Sequence, residues 1–151
     1  MRVFLDTNIL LDVLARRDPF FAHSARIWTM AEQGEIVASV SALSFNNIYY
    51  IVRKAEGKGK AAKALRLLRD IFVIVAPDRQ IVDRAVDSEI DDFEDAVQYF
   101  SASRSRADYL ITRDTSGFPA SPLSVLSPQE FLVLWSAEVG TRSKTGPRSS
   151  S

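Results

Sequence analysis

Asp6, Asp95 and Asp114 are the residues of this 151-residue chain best placed to do chemistry. Asp6 closes the apolar run Val3-Phe4-Leu5. Asp95 opens the helical stretch Ala96-Val97-Gln98-Tyr99-Phe100, and Asp114 follows the short run Tyr109-Leu110-Ile111-Thr112. Each stands where a predicted strand meets a helix or loop. Carboxylates at several strand ends can converge on one edge of a parallel sheet, which is where open α/β folds place their chemistry. Gathered there, they repel one another unless a divalent cation sits among them. A hard cation such as Mg2+ or Mn2+ takes oxygen ligands, lowers the pKa of bound water and stabilises charge on a phosphoryl oxygen. The expected chemistry is metal-dependent attack on a phosphate. Singly, these acids also read as structure, because Asp, Thr and Asn are favoured helix caps and acids suit the helix N-terminus. Three such acids at three strand-adjacent positions are what favour a metal site.

Composition narrows the alternatives. The chain has no cysteine, so disulfides and thiolate metal sites are excluded and a metal must take oxygen ligands. His23 is the only histidine, which excludes multi-histidine zinc sites and argues against a Ser-His-Asp triad. His23 itself is expected to be structural or exposed. No apolar stretch approaches the roughly 20 residues needed to span a bilayer. The N-terminus starts directly with a strand, without a basic-then-apolar signal pattern. A soluble, cytoplasmic protein is expected, without membrane contact. The charge balance of 19 basic and 19 acidic residues hides an asymmetry. Arg53 to Arg69 hold seven bases and one acid, whereas Ser88 to Asp95 hold five acids and no base. A basic face beside an acidic pocket suits a polyanionic substrate that needs a metal, although a charge run is also the pattern of a solvated helix face.

The elements that must position these residues alternate. Strands are expected at 2–5, 36–40, 71–75, 109–112 and 123–126. Helices are expected at 8–16, from Pro19 to about Gln33, from a Ser41 cap to Lys54, and through Ala61, Leu65, Leu68 and Phe72. Others follow near Ile81-Val86, Ala96-Ala107 and Pro128-Trp135. In the second helix Phe21, Ala25 and Trp28 mark the expected buried face. Alternation of this kind predicts a three-layer α/β/α sandwich around a mostly parallel sheet of about four or five strands. The expected domain spans 1–136, followed by a disordered basic tail over 137–151. Phe131, Leu132, Leu134 and Trp135 surround their helix too completely for one buried face, which suggests a homodimer or partner surface.

At three places the residues resemble a known family. Val3-Phe4-Leu5-Asp6-Thr7-Asn8-Ile9-Leu10-Leu11-Asp12 is similar to the opening of a PIN domain. Asp92-Phe93-Glu94-Asp95-Ala96-Val97-Gln98-Tyr99 resembles the helix that bears that family's third acid. Ala107-Asp108-Tyr109-Leu110-Ile111-Thr112-Arg113-Asp114 resembles the strand that delivers its last acid. The likeness covers about residues 2 to 135, and the motifs occur in the family's order. It implies a Mg2+- or Mn2+-dependent ribonuclease that leaves 5′-phosphate and 3′-hydroxyl ends. Many bacterial members are VapC-like toxins held by an antitoxin protein. It also implies that Asp6, Asp95 and Asp114 bind the metal, with Asn8 and Thr112 bracing them or touching substrate. The family usually carries a glutamate in the helix after the second strand, and here Asn47 stands in that place. A neutral amide weakens the expected metal cluster. Asp92 could compensate from the Asp95 face of its helix at i to i+3 spacing, and Asp91 is a second candidate. A capping role fits either acid equally well. Arg53, Lys63 and Arg66 are candidate RNA contacts, with Arg69 on the same strip and the Tyr49-Tyr50 pair available to stack a base.

Two other readings remain open from the residues. A degenerate PIN domain could bind RNA or a protein without cutting, as the absent glutamate would allow. A phosphotransfer enzyme of another α/β class could use Asp6 as a nucleophile. Haloacid-dehalogenase-like phosphatases need a second Asp where this chain has Asn8, and receiver domains place their phosphorylated Asp on a later strand.

Overall fold

The computed structural model describes residues 1–144, apart from the Lys144 side chain. In chain order the strands are β1 (Arg2–Leu5), β2 (Val37–Ser41), β3 (Val73–Val75), β4 (Tyr109–Ile111) and β5 (Ser124–Leu126). The helices are α1 (Thr7–Leu14), α2 (Phe21–Glu32), α3 (Ala42–Glu56), α4 (Lys58–Ile71), α5 (Arg79–Asp87), α6 (Phe93–Arg104) and α7 (Pro128–Lys144). All pairings among the described strands are parallel, in the order β3-β2-β1-β4-β5. The expected α/β sandwich with a parallel sheet is the fold found.

The pleat divides the core. Val3 and Leu5 of β1 face one way, with Ala38, Val40 and Ile111, under Ile9, Leu10, Ile27, Ile48, Leu68 and Phe131. Phe4 faces the other way and meets Tyr99 and Ala102 of α6 together with Leu110. Successive side chains alternate between sheet faces, so three apolar residues in a row imply a strand covered on both sides.

Several boundaries follow from local chemistry. Ser41 caps α3, its Oγ accepting from the Leu43 amide at 3.1 Å. Gly34 ends the α2 segment with φ 75°, a backbone value that glycine adopts at little cost. Helix α2 begins at Phe21, after Pro19, and its buried residues are Ser24, Ile27, Trp28 and Met30. The face expected from Phe21 and Ala25 is thus rotated, leaving both half-buried. Ile71 closes α4, so β3 begins two residues later than the apolar run suggests.

The last helix departs furthest from expectation. Residues 137–144, read from sequence as the start of a disordered tail, continue α7. Ala137, Glu138 and Val139 carry no helix breaker, so the helix begun at Pro128 propagates through them. The rest of the expected tail, 145–151, lies outside the described residues. Phe131 is fully buried and Leu132 and Trp135 pack partly on the core, whereas Val133 is 67% exposed.

Candidate active site

The strand order reverses between β1 and β4, because the chain steps outward through β2 and β3 on one side and through β5 on the other. A crevice forms at the carboxyl ends of the strands at such a point. Asp6 stands there. Its amide donates to the Ile111 carbonyl of β4 at 3.0 Å, which fixes it at the ends of both strands. Asp6 is the cap position of α1 but makes no side-chain cap bond. Its Oδ2 instead accepts from Thr112 Oγ1 at 3.0 Å, and the side chain is nearly buried.

The other acids arrive at the start of α6 and after β4. A buried polar chain registers the helices. Gln98 Nε2 of α6 donates to Thr7 Oγ1 of α1 at 2.9 Å, and the Thr7 and Ser44 hydroxyls are hydrogen-bonded to each other at 2.7 Å, joining α1 to α3. One set of bonds thereby ties together the helices that carry Asn8, Asn47, Glu94 and Asp95. The resulting cleft of about 730 Å³ is lined by Asp6, Asn8, Asn47, Asp92, Glu94, Asp95, Thr112 and Asp114, with Arg113, Phe20 and Ile51 at its wall.

The electrostatics report crowding. Asp95 is pushed up to about 6, first by burial and then by Asp92, Asp6, Glu94 and Asp114. Burial also raises the Asp6 carboxyl, against the Thr112 hydroxyl, the Thr7 amide and the Arg113 charge, which draw it down. Burial raises Glu94, helped by Asp6 and Asp92. Asp114 is held low by the side chain and amide of Ser116, at 2.6 and 3.0 Å from its Oδ1.

Among the described residues, no three carboxylates converge closely enough to hold an ion as they stand. The reason is physical. Asp114 is engaged by Ser116, and Asp92 Oδ1 accepts from the Asp95 amide at 2.9 Å as the cap of α6. The donor chemistry nevertheless fits a hard divalent cation. It offers oxygen alone, in excess negative charge, with Asp6 braced from behind by Thr112.

Asp6, Asp95, Asp114, Asp92, Asn8, Asn47 and Thr112 all reach the cleft. Asp91 is absent from its lining, as are Arg53, Lys63 and Arg66. Arg53 lies over the Tyr49 ring at 6.0 Å, and Lys63 lines a separate groove with Trp28, Val52 and Leu67. Two residues of the site were missed. Glu94 accepts from Asn47 Nδ2 at 3.0 Å through Oε1, so Asn47 of α3 holds a carboxylate supplied by α6. Arg113 is the cleft's cation. Both lay inside the quoted motifs, but a run of acids reads as a helix start and a single Arg between Thr112 and Asp114 carries no spacing signal.

A PIN domain model matches residues 2–116. The chain belongs to the PIN domain family. Among solved structures it is similar to a toxin-antitoxin complex from Klebsiella pneumoniae, at 23% identity and TM-score 0.64, covering 83% of this chain and 97% of that one. It is similar also to VapBC2 from Rickettsia felis bound to a promoter DNA fragment, at 17% identity and TM-score 0.63, covering 84% and 98%. A third is VapC20 from Mycobacterium tuberculosis, a sarcin-ricin loop cleaving toxin, at 14% identity and TM-score 0.62, covering 76% and 92%. At these identities the likeness establishes the fold. No curated protein matches the chain.

Proposed function

We propose that this PIN domain is a Mg2+- or Mn2+-dependent ribonuclease that hydrolyses RNA phosphodiester bonds, acting in the cytoplasm. The observation that carries the reading is the gathering of Asp6, Asp92, Glu94, Asp95 and Asp114 along one cleft at the sheet's switch point, where burial first and then the neighbouring carboxylates lift Asp95 to about 6. Among the described residues, five carboxylates line this cleft with Arg113 as the one cation in its lining. Asp6, Asp95 and Asp114 would hold the metal, with Glu94 in support. A bound divalent cation supplies water activation and charge neutralisation at the phosphate. The chain's own residues orient that site: Thr112 holds the Asp6 carboxylate and Asn47 holds Glu94.

The test is cleavage of labelled RNA. Wild type should cut with Mg2+ and stop with EDTA, and Asp6→Asn should lose at least about a hundredfold in rate. Equal cleavage by purified wild type and variant removes the proposal. A binding-only PIN domain, the alternative raised by Asn47, predicts no manganese affinity at millimolar concentration. Glu94, which Asn47 holds in the cleft lining, supports the metal-binding reading over that alternative.

We further propose that the protein is the toxin of a toxin-antitoxin pair, supported by the described assemblies of its structural neighbours. Co-purification with the product of an adjacent small reading frame, with suppression of RNA cleavage, is the expected result.

A further inference from the structure

We propose that Arg113 binds a backbone phosphate of the substrate strand, with Asp12 and Phe20 as the residues that position it. The identity of the strand rests on the ribonuclease reading above. Asp12 lies on α1 with its side chain wholly buried, facing Arg113 Nε at 3.1 Å and Arg17 at 3.9 Å. Burial raises the Asp12 carboxyl, while the charges of Arg113 and Arg17 draw it back down. The Arg113 guanidinium also lies over the Phe20 ring, 4.3 Å from its centroid. The Nε corner of the fork therefore lies in ion-pair contact with a buried charge, without a hydrogen bond, and one face lies against an aromatic ring. The side chain keeps 27% exposure and lines the cleft beside Asp6, Thr112 and Asp114.

This arrangement exceeds what neutralising Asp12 requires. Arg17 already shares that task, and an arginine serving Asp12 alone need not border the acidic cleft. Its Nε faces Asp12, and no hydrogen bond among the described residues engages its terminal amino groups. A guanidinium offers five donors in a flat fork that matches two phosphate oxygens. Pre-ordering by Asp12 and Phe20 lowers the entropy lost on binding. A cleft dominated by carboxylates also needs a fixed cation to attract a polyanion, and Arg113 supplies one within the cleft lining.

The experiment measures binding of a short fluorescein-labelled single-stranded RNA by anisotropy across a KCl series. Calcium replaces magnesium, since it takes the same oxygen ligands with looser geometry. Arg113→Gln alone leaves Asp12 buried without its closest partner and can unfold the chain. Asp12→Asn/Arg113→Gln removes both charges together and is the primary variant. We expect it to bind about tenfold more weakly, with the salt slope reduced by about 0.7, the value for one lost phosphate contact to a single strand. Asp12→Asn alone keeps the cation, so its slope should match wild type while affinity falls about threefold through lost positioning. A double variant that folds and binds with wild-type affinity and slope overturns the proposal, as does wild type failing to bind the RNA. Wild type that binds RNA but never cleaves it with Mg2+ defeats the hydrolase reading and leaves Arg113's role standing.

Discussion

At the scale of single residues, the site is held by bonds that look structural. Asp95 shows the cost of assembling it. Its carboxyl titrates near 6 in the fold but near the ordinary aspartate value in the unfolded chain. Between those values the folded state binds the extra proton, so metal-free stability falls as pH rises from about 4 to about 6 and levels off above that. Asp95→Asn should therefore melt higher than wild type at pH 8 without metal, and the gap should narrow below about pH 6 and close only near the ordinary aspartate value, at about pH 4. Saturating Mg2+ should raise the wild-type melting temperature and leave the variant nearly unmoved, because a cation relieves a repulsion the amide no longer feels. A variant that melts lower at pH 8 would show that the carboxylate is paired rather than crowded. The acids themselves were legible in the sequence, since Asp6 and Asp114 end apolar runs and Asp95 starts a helical one. Glu94 was not, because acids at a helix start are favoured by the dipole whatever else they do. Asp12 was hidden for the same kind of reason: on α1 it reads as a polar position until Arg113, about a hundred residues away, is folded against it.

At the scale of elements, the polar chain Gln98-Thr7-Ser44 does what apolar packing cannot, fixing the rotation of three helices about the ends of β1. Thr7→Val keeps the shape and removes the shared hydroxyl, leaving Gln98 and Ser44 buried without that partner. A loss of about 1–3 kcal/mol in urea-derived stability is expected. Cleavage should fall further than stability explains, because the starts of α1 and α6 carry the acids. Helix α7 has a different anchor. Phe131 is fully buried against the sheet, its ring 6.2 Å from that of Tyr109. Phe131→Ala should cost about 3–5 kcal/mol. Most strands and helices were readable as apolar runs and stripes, and the Ser41 cap was read correctly. The rotation of α2 was not readable, because Phe21, Ala25, Ile27 and Met30 offer two overlapping faces and only packing against α1 and α7 chooses between them. The continuation of α7 past Trp135 was missed because falling hydrophobicity marks loss of burial, not loss of helix.

At the scale of the whole molecule, an overall neutral chain concentrates negative charge at one end of its sheet. Strand order produces that concentration. It depends on pairings between segments up to about a hundred residues apart, so composition and periodicity could indicate a parallel sheet but not which strands adjoin. Once β1 lies beside β4, Asp6 and the Thr112–Asp114 segment share a crevice, and α6 lays Glu94 and Asp95 across it. The central claim is that these side chains gather around one hydrated cation. Crystals grown with Mn2+ test it most directly through the anomalous scattering of the metal. The account predicts a single strong peak in the cleft, in coordinating contact with Asp6 and Asp95, with Asp114 released from Ser116 towards it. A cleft without manganese at saturating concentration, or an ion bound elsewhere with these carboxylates unmoved, would contradict it.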